Sequence, residues 1–395
     1  MQIIIRNKLL IVTYMLSILY ALHYAIPLYA TSSFLHIYFN SAYVSGLYII
    51  ASIATLLASL TIAKSIKRFH TYGFTFFLVI AEILATITFA FTENLFVIAL
   101  FFIIHTVLQA FLYICLNIFI ESFSKHTETG SVRGLFLAIL SAGYLVSPMI
   151  GGFILSTTNN NFKGVYIASS LILVPFLYFL HKYLTHIKEP AYTSVDIFKA
   201  TKIVLRDKNL TSIFIIDLVV ESFYSVMIIY SPLYLATIDI PLTTYLSFIL
   251  PIALIPLVIL PYELGFLADL KHDEKHILIT GLLIMTITTF LCVIVRSPDP
   301  RIWALLLLVS RIGTSCAETM AYSYFFKKIG PGDASLTALF INLRGVSVIL
   351  IGSIGFIFAP LLAERPQIMF ITLGCVILWG ISHALTLQTS PRKLK

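Results

Sequence analysis

The sequence predicts an all-α integral membrane protein of twelve transmembrane helices, arranged as two pseudo-symmetric six-helix bundles. Three observations predict it. Asp, Glu, Lys and Arg make up 11% of the 395 residues, against roughly a quarter in an average soluble domain, while 59% of the chain is apolar. Apolar runs of about 20 residues, the length needed to cross about 30 Å of hydrocarbon with every backbone group paired inside its own segment, recur twelve times. One long polar stretch, 185–208, divides these runs six and six.

In chain order the runs are 8–30, 41–63, 73–92, 95–122, 131–157, 162–184, 209–237, 243–268, 275–296, 301–326, 334–362 and 366–388. The first follows Arg6 and Lys8, the layout of a signal sequence, but eleven further runs read it as the first span. The fourth carries a polar ladder at every fourth position, His105, Gln109, Tyr113, Asn117 and Glu121. Each step of four turns the face by about 40°, so one cavity wall can hold the ladder. The fifth carries Gly143, Ser147, Pro148, Gly151 and Gly152. Small residues four apart let helices approach closely and the proline bends the helix, which suits packing between the halves. In the polar stretch, Val195, Phe198, Ile203 and Leu205 alternate with lysines as in an interfacial helix. The domain reading is a bundle at 1–184, a cytoplasmic linker with an amphipathic segment at 185–208, and a second bundle at 209–395.

With both termini cytoplasmic, twenty of the 26 Lys and Arg residues fall on that side. Four (Lys163, Arg296, Arg301 and Arg365) fall outside, and Arg311 and Arg344 fall within spans. This asymmetry follows the positive-inside rule, so a multi-pass protein of the cytoplasmic (inner) membrane is expected, and the net charge of +8 reports topology and anionic lipid rather than nucleic acid. The expected partners of a monomer are the lipid bilayer and a small-molecule substrate. Cys115, Cys292, Cys316 and Cys375 all lie in apolar runs, where a thiol behaves as a small hydrophobe. No disulfide or metal spacing is visible, no cofactor is expected, and neither a nucleotide-binding loop nor a nucleophile elbow points to an enzyme.

Gly265-Phe266-Leu267-Ala268-Asp269, with Lys271 and Lys275 beyond it, and the stretch from Gly143 to Gly152 together resemble the major facilitator superfamily. Its signature, G-x-L-A-D followed by basic residues, lies between spans 2 and 3 and is often echoed between 8 and 9. Its span 5 motif is G-x-x-x-G-P-x-x-G-G, in which Ser147 replaces one glycine. The first copy of the signature departs from the family, with Lys64 in place of the acid. The resemblance implies that spans 1, 4, 7 and 10 line a central cavity. It also implies that Asp269 lies near the start of span 5, where free N–H groups favour an anion and Arg133 is a second partner, as a latch on the cytoplasmic mouth. In the first half the polarity looks exchanged, with Asp333 capping span 11 and pairing with Lys64. His105 stands where the family often has an arginine.

An ionisable side chain near the bilayer centre costs roughly 2.5–3.5 kcal/mol on insertion scales, so each one asks for a function. His23, Glu82, His105, Asp217, Glu221, Arg311, Glu318 and Arg344 all fall in mid-run. Six of the eight belong to the spans assigned to the cavity, Arg344 belongs to span 11, and Glu82 is left without a role. Asp217 and Glu221, four apart, share a face, as do Arg311 and Glu318, seven apart. Three carboxylates against two arginines leave one unmatched and able to exchange a proton, Glu221 first and Asp217 second. The bland alternatives are a permanent Arg311–Glu318 bridge and a His105 merely hydrogen-bonded to a neighbouring helix. The leading expectation is a secondary transporter working by alternating access, with the proton as coupling ion, exporting an amphipathic or drug-like solute past Tyr24, Tyr113, Tyr224 and Tyr322. Proton-coupled uptake of a sugar or other small nutrient is the alternative. A sensor or partner-binding protein that no longer transports is a third reading.

Overall fold

The computed structural model describes residues 8–123, 129–185, 197–271, 274–329 and 334–388. Every regular element among them is helical. In order they are α1 (Lys8–Leu28), α2 (Thr31–Tyr38), α3 (Ser41–Phe91), α4 (Leu95–Phe123), α5 (Thr129–Thr157), α6 (Phe162–Leu184), α7 (Ile197–Arg206), α8 (Lys208–Ile229), α9 (Ser231–Ala236) and α10 (Leu242–Thr244). One turn of π-helix (Tyr245–Ile249) leads into α11 (Leu250–Lys271), followed by α12 (Glu274–Ile294), α13 (Pro300–Ile329), α14 (Ala334–Ile341), α15 (Leu343–Ile357), α16 (Ala359–Glu364) and α17 (Ile368–Thr386). Among the described residues, twelve helical stretches have the length and hydropathy to cross a membrane.

The departures from the expected spans have local causes. Spans two and three join in the single element α3, interrupted only at His70 (φ 60°, ψ 156°), so the charged stretch from Lys64 to Arg68, which falls between the apolar runs 41–63 and 73–92, is helix. Lys and Arg are good helix formers, and they carry the helix past its apolar run. The stretch Gly265–Asp269 likewise lies on α11, which runs on to Lys271. The expected run 209–237 is two helices, parted at Tyr230 where Pro232 starts α9, and 334–362 is three, parted at Asn342 and at Phe358, just before Pro360. A proline suits the first turn of a new helix and cannot continue an old one.

The chain forms two compact units, one of Met1–Tyr38 with Ile50–Thr193 and the other of Phe39–Ile49 with Ser194–Lys395. In the first, α1 packs on α4, α5 and α6 over a core that includes Leu16, Leu112, Phe119, Phe136 and Phe176. The small-residue stripe of α5 makes this packing close. A Cβ on Gly143 would stand 2.5 Å from that of Ala21, and one on Gly151 would stand 2.9 Å from the carbonyl oxygen of Ile26. Ser147, fully buried, returns its hydroxyl to the Gly143 carbonyl at 2.7 Å. The sequence pattern suggests that this stripe packs between the halves; the partner of Gly143 and Gly151 is instead α1, in their own unit.

In the second unit α13 packs on α11 and α12, and α8 packs on α15 and α17. Gly281 and Gly313 cross backbone to backbone, since a Cβ on either would lie 2.6–2.7 Å from the carbonyl oxygen of the other. The amphipathic segment forms α7, with Ala200 and Val204 buried on the side that meets α8 and α14, and Leu205 exposed.

Candidate functional site

The helix that carries Asp217 and Glu221 is anchored at its start. Asp207, the single residue between α7 and α8, caps α8 by accepting hydrogen bonds from the Asn209 and Leu210 amides at 2.9 and 3.0 Å. Its other oxygen meets Lys328 at 3.1 Å. Partial burial works against ionisation, but the Leu210 amide, Lys328 and the Asn209 amide outweigh it and hold the carboxyl below the usual range. A carboxylate at a helix N-terminus also meets the positive end of the dipole. Because α8 ends at Ile229, its middle falls between Leu218 and Val219, so Asp217 is nearer mid-helix than Glu221, the reverse of the expectation from 209–237.

Unit two gathers the expected charges. Glu221 lies within electrostatic reach of Arg344 and Glu318, and Glu318 within reach of both Arg344 and Arg311. Asp217 adjoins Glu221 and Glu318. Glu318 accepts the phenolic proton of Tyr224 at 2.5 Å. The guanidinium of Arg311 lies 5.1 Å from the ring centroids of both Phe223 and Tyr224, a cation–π seat rather than the bridge to Glu318 weighed as an alternative. Asp217 and Arg311 are buried and each keeps one polar atom, Oδ1 and Nη1, without a hydrogen-bond partner. Arg344 is exposed, and Glu221, Tyr224 and Glu318 are half-buried, so this unit presents charge at a surface with further charge behind it. Arg344 stands in the first turn of α15, next to the break at Asn342. Ser225 bonds to Ser347 at 2.9 Å and Ser347 to the Arg344 carbonyl at 2.8 Å, which ties α8 to that turn. One face of α13 carries Glu318, Tyr322 and Phe326 at intervals of four, and the rings of Tyr322 and Phe326 pack with centroids 6.3 Å apart. The sequence marks Tyr224 as an aromatic but not as the donor to Glu318; the available signal was its place three residues after Glu221, on the same helical face.

Unit one assembles a different group. His23 on α1 and His105 on α4 both meet Oε1 of Glu82 on α3, at 2.9 and 2.6 Å. Gln109 reaches the far nitrogen of His105 at 3.0 Å. The pathway residues expected in this unit therefore divide. His23, His105 and Gln109 join this buried cluster, whereas Asn117 bonds back to the Tyr113 carbonyl at 2.9 Å and Tyr113 packs against Tyr20 and Phe136. Glu82, left without a role by the sequence, is the hub.

The expected cytoplasmic contacts are not drawn by the structure. Gly265 and Asp269 fall on α11, Arg133 on α5 and Lys64 on α3, but their side chains lie outside the described residues, as does all of Asp333.

The sequence profile of the Major Facilitator Superfamily matches residues 9–350. No curated protein matches the chain by sequence. Among solved structures, the nucleoside transporter NupG is similar with a TM-score of 0.75 at 14% identity, over 96% of this chain and 100% of that one. A D-xylose–proton symporter is similar with a TM-score of 0.76 at 13% identity, over 98% and 99% of the two chains. A bacterial homologue of the human lysosomal transporter Spinster, in an inward-facing and occupied conformation, is similar with a TM-score of 0.75 at 11% identity, over 96% of each. Twelve spans, a profile match over most of the chain and this shared fold place the chain in one family: it belongs to the major facilitator superfamily of membrane transporters.

Proposed function

We propose that this transporter is a proton-coupled exporter of an amphipathic solute, working by alternating access, with Glu221, Asp217 and Glu318 as the exchangeable acids and Arg344 as their movable counter-charge. The observation that carries this reading is the single group on unit two in which three carboxylates face two arginines. One of those arginines is exposed at the surface, and the other is committed to two aromatic rings. An excess acid in such a group takes a proton when Arg344 turns to another partner and releases it when Arg344 returns. The aromatic and acidic face of α13 suits a solute with an apolar body and a cationic end. The twelve-helix architecture and the positive-inside charge pattern support a multi-pass protein of the inner membrane with cytoplasmic termini.

A second reading, proton-coupled uptake of a hydroxylated nutrient, is favoured by the unpartnered Oδ1 of Asp217 and Nη1 of Arg311, which a sugar-like or nucleoside-like ligand would satisfy.

Proteoliposomes loaded with a pH-sensitive dye decide between these readings. With an imposed pH gradient, an amphipathic cation is expected to discharge the gradient in exchange for protons, and Glu221→Gln and Glu318→Gln are expected to abolish this while leaving ligand binding detectable. Symport of a pentose, hexose or nucleoside instead establishes uptake. Binding without any flux defeats both readings in favour of a sensor.

A further inference from the structure

The His23–Glu82–His105 cluster answers to a different chemistry from the acids of unit two. Three atoms, an imidazole nitrogen from each histidine and a carboxylate oxygen of Glu82, lie within 4.8 Å of one another. They come from three helices, and all three side chains are buried, His23 and Glu82 completely. The surroundings fix how the rings face. His23 Nδ1, the nitrogen turned away from Glu82, meets the Ser169 carbonyl at 3.0 Å and the Ser169 hydroxyl at 2.8 Å, and that hydroxyl has a second acceptor in the His23 carbonyl at 2.8 Å. In the tautomer whose Nδ1 donates to the carbonyl, Nε2 is left with a bare lone pair pointing at Glu82. His105 Nε2 is held by the Gln109 amide, which offers a donor or, after a half-turn, an acceptor. That leaves His105 Nδ1 to face Glu82 in the same way, beside a longer contact to the Thr86 hydroxyl at 3.3 Å. Glu82 adds a second oxygen, Oε2, that is buried and has no hydrogen-bond partner.

Two lone pairs and a carboxylate aimed at one point are suited to hold a cation there. Two imidazoles and a glutamate, with each distal ring nitrogen held by a carbonyl or amide, form the donor set and the outer support of a three-ligand zinc-type site. Imidazole ligands select zinc and its transition-metal neighbours, whereas magnesium and calcium require oxygen donors. Reaching the spacing of about 3.4 Å that surrounds a tetrahedral ion means opening the present 2.6 and 2.9 Å contacts by less than an ångström each and closing the histidine pair, now within 4.8 Å, by at most about 1.4 Å. We propose that His23, Glu82 and His105 bind one divalent transition-metal ion of the zinc class inside unit one, as a resident clamp that joins α1, α3 and α4 rather than as transported cargo. The burial of all three ligands within one compact unit is what separates a clamp from cargo.

The test uses full-length protein in detergent, stripped with a chelator and titrated with Co²⁺, whose visible absorption reports ligand type and geometry. The expected result is one Co²⁺ per chain with the intense bands of a four-coordinate nitrogen–oxygen site. Zn²⁺ should displace it, Mg²⁺ should not, and the unfolding temperature should rise on loading. Glu82→Gln and His105→Gln should lose the bands. Gln109→Leu, which leaves the ligands in place, should weaken binding about 10- to 100-fold as removal of an outer-shell partner does. Wild-type protein that shows no such bands overturns the proposal without reference to any variant. So does Zn²⁺ content no higher than that of folded Glu82→Gln protein, the mark of a cluster that holds protons only.

Discussion

Tyr224 on α8 donates its phenolic proton to Oε2 of Glu318 on α13 at 2.5 Å, across a sequence separation of 94 residues. Around this bond are arranged the ring contacts of Arg311 and the charges of Glu221 and Arg344. It gives Glu318 a neutral partner beside the two arginines. Replacing Tyr224 by Phe keeps the ring under Arg311 and removes only the hydroxyl. A hydrogen bond to a charged group contributes about 1.5–3 kcal/mol to stability, so Tyr224→Phe is expected to lower the unfolding temperature as well as the initial rate of gradient-driven transport. A flux assay beside a thermal melt checks both halves; an unchanged rate removes Tyr224 from the mechanism.

The cap at Asp207 makes a prediction about pH. Its folded carboxyl ionises more readily than a free side chain. Its contribution is therefore complete above the ordinary carboxylate pKa and is lost as pH falls through the lower folded value. Asp207→Ala is expected to cost about 1 kcal/mol from the cap, with a further loss from leaving Lys328, whose side chain is 7% exposed, without its partner. Asp207→Asn keeps an accepting oxygen for the Asn209 and Leu210 amides and is expected to recover part of that loss. In melts of the three proteins, the wild type should fall towards Asp207→Asn as pH drops below the usual carboxylate range, with Asp207→Ala remaining the least stable.

Glycines differ in what surrounds them, and the difference is measurable. Gly281→Leu inserts a side chain where α12 and α13 touch through their backbones, and is expected to destabilise by at least the roughly 1–3 kcal/mol typical of overpacking. Gly73, on α3, has open space on its side-chain side, with nothing within 4 Å of where a methyl group would stand. Gly73→Ala is therefore expected to be neutral or to stabilise by up to about 1 kcal/mol through helix propensity. Size-exclusion profiles and melts in detergent distinguish the two.

His70 breaks α3 with φ of 60° and ψ of 156°, a region that essentially only glycine occupies without strain. The side chain is exposed, so little packing is lost with it. His70→Gly is expected to raise stability by about 1 kcal/mol, read as a higher unfolding temperature, whereas His70→Ala is not. A lower melting temperature for the glycine variant would show that the imidazole itself contributes there.

Much of this architecture is legible from residue order alone. Hydropathy gives the number of spans because each must be long and apolar on its own, and the spacing of Asp217 with Glu221 and of Arg311 with Glu318 places each pair on a helical face. The breaks at Tyr230 and Phe358 are also within reach, since Pro232 and Pro360 announce them; an uninterrupted apolar run masks the signal. The Glu82 cluster is not legible. Its members lie 59 and 23 residues apart on three helices, and no local pattern couples a residue of span 3 to residues of spans 1 and 4. Glu82 looks peripheral when its helix is judged as a whole, whereas a single inward-facing position decides the matter. The choice of Tyr224 over Arg311 as the contact of Glu318 depends on rotamers, which periodicity does not encode.

The interruption of the eleventh span at Asn342 starts a new helix one residue before Arg344, so that arginine stands at the positive end of α15, against the dipole of its own helix. Glu221 and Glu318, within electrostatic reach, offset this cost. Once they are neutralised, that offset is lost and Arg344 is left against the dipole of α15. Under the proposed mechanism, protonation of the acids and a movement of Arg344 away from its helix start are thus coupled.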